Sequence, residues 1–273
     1  MKFSVVIRNK NKDLQIDRLL KCLTQVYVDF IDEIIIVDNL SNEATKDVYK
    51  KFNSYIKVIN IENFTYGSAL NVGIGLCTNN WILIMSSHCL PLGSLFFQQI
   101  YNIIIKSSNK IGGIRLTMAQ KFFDYERYLH YVYNDKLSFD LKNNYADSGI
   151  LANGAVISKK AWEIVKFDED VIAFEDKIWS QQVLNKEFII VPCDSIYYYD
   201  KGHVNMRNEL FSYKTQFGAR RVFFKDYSLK PVLKNLKVLF LNNPKSFLKL
   251  QILQICKIYY DLKIVFLKNK FKG

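Results

Sequence analysis

Four short apolar runs alternate with three amphipathic segments in the first 90 residues, and that alternation restricts the fold more than any other feature of the chain. Phe3–Ile7, Glu33–Asp38, Ile56–Ile61 and Trp81–Met85 read as strands, because short apolar runs bounded by turn residues fit buried strands. Between them, Asp13–Thr24 places Leu14, Leu19, Leu20 and Leu23 on one side of a helix. A second helix runs to about Phe52, with Ser41 as its candidate cap, and a third covers Ser68–Cys77. Strands alternating with helices of this length imply right-handed βαβ units. The expected class is therefore α/β, with a mainly parallel sheet flanked by helices.

The pattern loosens from about 92 to 150, where Phe122–Tyr145 is aromatic and polar. It resumes with a strand over Gly149–Ser158, a short helix over Lys159–Val165, and a helix opened by Phe174-Glu175-Asp176 that runs to about Asn185. Phe188–Pro192 is another strand, and Ser195–Tyr199 continues extended. After Gly202 the chain turns to helices rich in Lys, Leu, Ile and aromatics, broken near Pro231 and Pro244. This predicts a main domain over 1–205 and a basic amphipathic helical extension over 206–273. The net charge is +12, yet residues 227–273 alone hold ten lysines against one acid, Asp261. A basic helical stretch of this kind fits the face of an anionic membrane. It also fits a helical pair packed on the main domain with its lysines in solvent. Nucleic acid is the poorer partner, since no helix-turn-helix, zinc or RNA-binding signature accompanies the charge. Five cysteines without a CxxC pair point to reduced thiols in a cytoplasmic protein. No window approaches 18 uninterrupted apolar residues, so peripheral attachment is expected and a membrane-spanning helix is not.

The residues with chemical potential cluster at the carboxyl ends of the strands, where ligands bind in open α/β sheets. Asp38 ends its strand and can accept hydrogen bonds from a ribose or base; the same position also suits an ordinary strand-end turn. Gly67 lies in a strand-to-helix turn, where a helix amino terminus attracts phosphate. Ser86-Ser87-His88 closes the run Trp81–Met85. Neutral imidazole is a good ligand for a divalent ion and a serine hydroxyl a poor one, while a histidine hydrogen-bonded in a loop is the simpler alternative. Glu175-Asp176 begins a helix, where a carboxylate is stabilised by amide dipoles and can act as a general base or merely as a cap. His203, after Tyr197-Tyr198-Tyr199 and Gly202, is a candidate second imidazole.

In this order and spacing the pieces resemble the family 2 inverting glycosyltransferases of GT-A fold. Ser4-Val5-Val6-Ile7-Arg8-Asn9-Lys10-Asn11 is similar to the family's first strand and loop. Glu33-Ile34-Ile35-Ile36-Val37-Asp38-Asn39-Leu40-Ser41 is similar to its acidic nucleotide-binding strand. Tyr66-Gly67-Ser68-Ala69-Leu70-Asn71-Val72-Gly73-Ile74 resembles its Gly…Ala…Asn-x-Gly helix, and Phe167-Asp168-Glu169 with Phe174-Glu175-Asp176 its acceptor side. The resemblance covers roughly residues 3–205. It implies that Asp38 binds the nucleotide of a UDP- or dTDP-sugar with Arg8 and Asn9 nearby, and that Gly67, Asn71 and Ser86 line the donor site. It further implies that Asp176, beside Glu175, deprotonates the acceptor hydroxyl. The family normally carries Asp-x-Asp at the end of the fourth strand to hold a metal ion; Ser86-Ser87-His88 stands there instead. That triplet, followed by proline, is reminiscent of a bacterial rhamnosyltransferase-like branch. Mn2+ or Mg2+ would then be held by His88 and His203 with diphosphate oxygens, or the leaving charge met by cations such as Arg207. The acceptor expected is a glycan or lipid-linked hydroxyl in bacterial surface polysaccharide synthesis. A non-catalytic sugar-nucleotide-binding module is the alternative.

Overall fold

The computed structural model describes residues 1–107, 110–119, 149–171, 173–200 and 248–267, with isolated positions between 210 and 236. The chain divides into two compact units. One comprises Met1–Asp170 with Glu175–Lys201, the other Val171–Phe174 with Gly202–Gly273.

The first unit is built on an eight-stranded sheet of order β3-β2-β1-β4-β7-β6-β8-β5. Strands β1 (Phe3–Asn9), β2 (Ile31–Asp38), β3 (Ile56–Asn60) and β4 (Trp81–Ser86) are mutually parallel. The helices between them are α1 (Asp13–Lys21), α2 (Glu43–Lys51) and α3 (Tyr66–Gly75). Strand β1 is buried at every position, as expected of a parallel strand covered on both faces. The period-2 alternation sorts its side chains into two cores. Val5 and Ile7 join Ile34, Ile36, Leu83 and Met85 beneath α1 and α2, whereas Val6 joins Ile35, Val37, Ile82 and Ile84 beneath α3.

Beyond β4 the structure adds what the looser sequence hid. Only Ser87 and His88 separate β4 from β5 (Cys89–Pro91), yet β5 pairs antiparallel with β8 (Ile189–Tyr199) at the far end of the strand order. A two-residue link cannot cross the three strands that lie between β4 and β5 in a flat sheet, so the sheet curls back on itself. Helix α4 (Phe96–Lys106) and β6 (Ile111–Ala119) fill part of the region that the sequence left unassigned. β7 (Gly154–Ser158) is shorter than the expected Gly149–Ser158, and it runs antiparallel to both β4 and β6. The two extended pieces expected at 188–199 form the single strand β8, whose register shifts against β6 between Leu116 and Thr117. Helices α5 (Lys159–Ile164) and α6 (Glu175–Leu184) also belong to this unit.

Helix ends differ from expectation in two places. Asn42, and not Ser41, caps α2 by accepting from the Thr45 amide at 3.1 Å. Helix α3 begins at Tyr66, two residues before the expected Ser68, because Thr65 and Ser68 form a reciprocal capping box. In the second unit the principal described element is α7 (Leu248–Leu267). Among the described residues, no helix is long and apolar enough to cross a membrane.

Candidate active site

The carboxyl ends of β1, β2 and β4 bring Arg8, Asn9, Asp38 and Ser86 into register: Asn9 pairs with Asp38, and Arg8 with Ser86. Arg8 is buried, and a guanidinium held in the interior needs compensation from its surroundings. Its Nη1 donates to Glu175 Oε1 at 3.2 Å. Its Nη2 donates to the Ala152 carbonyl at 2.7 Å and to Ser86 Oγ at 3.4 Å. The guanidinium also lies 5.1 Å from the ring centre of Tyr66. One cation thus ties the ends of β1 and β4 to the first turn of α6.

Glu175 is buried, and its carboxyl is pushed up to about 7. Burial is the largest cause and the adjacent Asp176 the next, while Arg8 pulls the other way without prevailing. Asp176 is half-buried, and its Oδ2 accepts from the Ala152 amide at 3.2 Å. Ala152 therefore joins Arg8 to Asp176 through its backbone, its carbonyl accepting from Arg8 and its amide donating to Asp176. Phe174, immediately before the pair, has φ +75°, and the loops after β1 and β2 carry Asn11 at +52° and Leu40 at +49°. Left-handed backbone at residues with side chains is strained, and Asn11 and Leu40 carry it in the loops that follow β1 and β2.

Asp38 has a different setting from the one expected of a ribose acceptor. Its Oδ1 accepts from the Ser41 hydroxyl and the Tyr49 hydroxyl, both at 2.6 Å, and its Oδ2 from the Ser41 amide at 2.8 Å. The carboxylate is buried and already holds the loop after β2. Asn9 donates to the same Tyr49 hydroxyl at 2.6 Å, and its Oδ1 is buried without a hydrogen-bond partner. Gly67 likewise faces protein: a Cβ there would lie 2.0 Å from the Asp168 carbonyl oxygen. Asn71 accepts from the Trp162 indole and the Phe167 amide, each at 3.0 Å, and donates to the Phe167 carbonyl at 2.9 Å and Glu169 at 2.7 Å. Both residues lock α3 to the 167–169 segment. Of the expected site residues, then, Arg8, Ser86, Glu175 and Asp176 come together, and Asn9 and Asp38 form a linked network beside them. Tyr66 and Ala152 are additions. Tyr66 sits in a motif legible in the sequence, whereas Ala152 acts through backbone that no side-chain pattern betrays.

His88 packs edge-on against Tyr199, ring centres 4.8 Å apart. Burial, and then Lys12 and Arg8, lower its pKa to about 4 against a smaller pull from Asp200. The imidazole is neutral near pH 7, the form that ligates a metal. Among the described residues no three His, Cys, Asp or Glu side chains gather as a metal site. A divalent ion at His88 needs ligands from a bound diphosphate and from further side chains. His203 lies outside the described residues, as does Arg207.

The curled, mainly parallel sheet between helices, with a carboxylate pair and a buried arginine at its carboxyl edge, matches a GT-A fold. Residues 4–156, more than half of the chain, match the family described as Glycosyl transferase family 2; the chain belongs to that family and is a glycosyltransferase. Solved structures agree on the fold. The mannosyltransferase PcManGT from Pyrobaculum calidifontis, in complex with GDP-Man and Mn2+, aligns with TM-score 0.59 at 10% identity over 97% of this chain and 72% of its own. Staphylococcus aureus TarS aligns at 0.55 and 18% identity, over 78% of this chain but 38% of its own. Glucosyl-3-phosphoglycerate synthase from Mycobacterium tuberculosis, with Mn2+, UDP and phosphoglyceric acid, gives 0.57 at 13% identity over 77% and 74%. No curated protein matches the sequence.

Proposed function

We propose that this glycosyltransferase transfers a sugar, with inversion, from a UDP- or dTDP-sugar to a hydroxyl of a glycan or lipid-linked acceptor in bacterial surface polysaccharide synthesis. It works from the cytoplasm, at the inner face of the plasma membrane. The observation that carries the reading is the Glu175–Asp176 pair. Two adjacent carboxylates begin one helix; one is buried against Arg8, and the other is half-exposed beside it. Opposite environments assign the two acids opposite roles. Glu175 with Arg8 holds the turn, and Asp176 takes the proton.

In the proposed step the acceptor hydroxyl loses its proton to Asp176 as its oxygen bonds to the anomeric carbon. The bond from that carbon to the diphosphate breaks on the opposite face, so a nucleoside diphosphate leaves and the configuration inverts. Arg8, Asn9, Asp38, Gly67, Asn71 and Ser86 shape the donor site, Asp38, Gly67 and Asn71 through the loops they hold. Mn2+ or Mg2+, held by His88, His203 and diphosphate oxygens, would supply charge compensation at the leaving group. The Mn2+ and the nucleotide or nucleotide sugar of the structural neighbours support that assignment. The Ser86-Ser87-His88 triplet supports the rhamnosyltransferase-like branch and puts dTDP-linked sugars first in any screen.

The test is release of nucleoside diphosphate across common donors, with and without Mn2+, for the wild type and Asp176→Asn. Loss of turnover by roughly 10²–10⁴-fold in a variant that still melts like the wild type is the expected result. Unchanged turnover removes Asp176 as the base, and retention of anomeric configuration in the product removes the inverting step. Donor binding with no turnover in the wild type would identify a binding module.

A further inference from the structure

The run Tyr197-Tyr198-Tyr199 closes β8 with three phenols in three settings. Strand β8 is parallel to β6, and β4 and β6 are both antiparallel to β7, so Tyr199 ends its strand at the same edge of the sheet as Ser86. Alternation puts Tyr197 and Tyr199 on one face and Tyr198 on the other, where it is 41% exposed. Tyr197 is buried, and its hydroxyl donates to Asn153 Oδ1 at 2.8 Å. Tyr27 and Tyr49, the other buried phenols among the described residues, likewise spend their hydroxyls on protein. Tyr199 does not. Its ring packs edge-on against His88, and its backbone is fixed there by pairing with Cys89 and by the Asp200 amide, which donates to the His88 carbonyl at 2.9 Å. Yet its hydroxyl has no hydrogen-bond partner among the described residues and is not sealed in the interior.

Tyr66, the first residue of α3, shares that condition. It is half-buried, its ring lies under the Arg8 guanidinium, and its hydroxyl is unspent among the described residues. Arg8 acts electrostatically on both phenols, and Tyr66 acts on Tyr199, so the three side chains converge on one place. Lys12 and Arg8 also act on His88 more strongly than Asp200 does. What meets here is positive charge and two hydrogen-bond donors that the fold leaves unspent. A ligand that complements this set carries negative charge and many acceptor oxygens, which describes a diphosphate. Donors held in place by the fold meet the charge that grows on a leaving phosphate without rearranging.

We propose that Tyr66 and Tyr199 contact the donor directly, their hydroxyls donating to the phosphate oxygens of the nucleoside diphosphate and holding them beside Arg8. The proposal rests on the donor reading above and does not depend on which residue takes the acceptor proton.

The test is calorimetric titration of UDP and dTDP into the full chain, in EDTA and again with Mn2+, with uridine and thymidine as the arms that lack phosphate. Tyr199→Phe and Tyr66→Phe should each weaken the tighter-binding diphosphate roughly tenfold or more, since each removes one hydrogen bond to a charged acceptor. Both should keep the wild-type melting temperature, because neither hydroxyl has an internal partner to lose. Both should also bind the nucleosides as the wild type does, and Tyr198→Phe, on the opposite face, should match the wild type throughout. Unchanged diphosphate affinity in either variant overturns the proposal and leaves the transferase reading standing. An equal loss for nucleoside and diphosphate overturns it as well, since the phenols would then hold the base. A wild type that binds neither UDP nor dTDP overturns the donor reading, and this inference with it.

Discussion

At the scale of single residues, Gly67 and Asn71 show how a motif can be legible while its reason is not. The sequence makes a glycine at the strand-to-helix turn conspicuous, and close approach of a phosphate is a sound reason for one. The close approach is instead by the Asp168 carbonyl, 168 − 67 = 101 residues further along the chain. Long-range backbone packing of that kind leaves no trace in local spacing. Gly67→Ala must push the 168 backbone aside and should cost about 2–3 kcal/mol in urea denaturation. Asn71→Ala strips partners from the Trp162 indole and the Phe167 amide and should cost about 2–4 kcal/mol. A cost below about 0.5 kcal/mol in either variant would show that the 167–169 segment is not held by α3. The Arg8–Glu175 pair was legible only as two separate candidates, since nothing in a sequence pairs residue 8 with residue 175.

At the scale of elements, β1, β2 and β4 could be read because they are parallel strands buried on both faces over most of their length, which forces a continuous apolar run, while the edge strand β3 keeps Ile56, Val58 and Ile59 as its apolar positions. The later strands lack that signature. Pro91 reads as a terminator, yet it lies in β5 at the end of the strand order, where a missing amide hydrogen costs no ladder bond. Strand β8 reads as two pieces because its register breaks between Cys193 and Ile196, and Ser195 there turns to donate to the Phe96 carbonyl at 2.7 Å. Ser41 and Asn42 are both good caps by composition, and the choice fell to Asn42 because Asp38 had claimed Ser41. Asn42→Ala should therefore cost α2 about 1 kcal/mol, measured by thermal unfolding. Ser41→Ala should act instead on the loop after β2, loosening amide protection at Asn39–Ser41 in hydrogen exchange while the α2 amides stay protected.

At the scale of the molecule, a buried carboxyl and a half-buried imidazole set opposing pH trends. Glu175 is raised from 4.5 to about 7, so its contribution to stability is complete below pH 4.5 and is lost as pH climbs towards 7. His88 is lowered from 6.5 to about 4, so its contribution is complete above pH 6.5 and is lost as pH falls towards 4. Between 4.5 and 6.5 the two trends oppose each other. Urea midpoints in EDTA should expose them singly. Glu175→Gln should lose about 2 kcal/mol on going from pH 6.5 to 4.5, and His88→Asn should gain a similar amount over the same range. Parallel slopes in the two variants would show that neither group carries the shift. The curl of the sheet has a different consequence. It leaves two edges, and neither invites another chain. Strand β3 is five residues long with Lys57 exposed at its second position, and β5 is three residues long and ends in Pro91. Short strands, a charge and a proline are what keep one sheet from templating the next. At high local concentration the first unit is thereby protected against edge-to-edge aggregation.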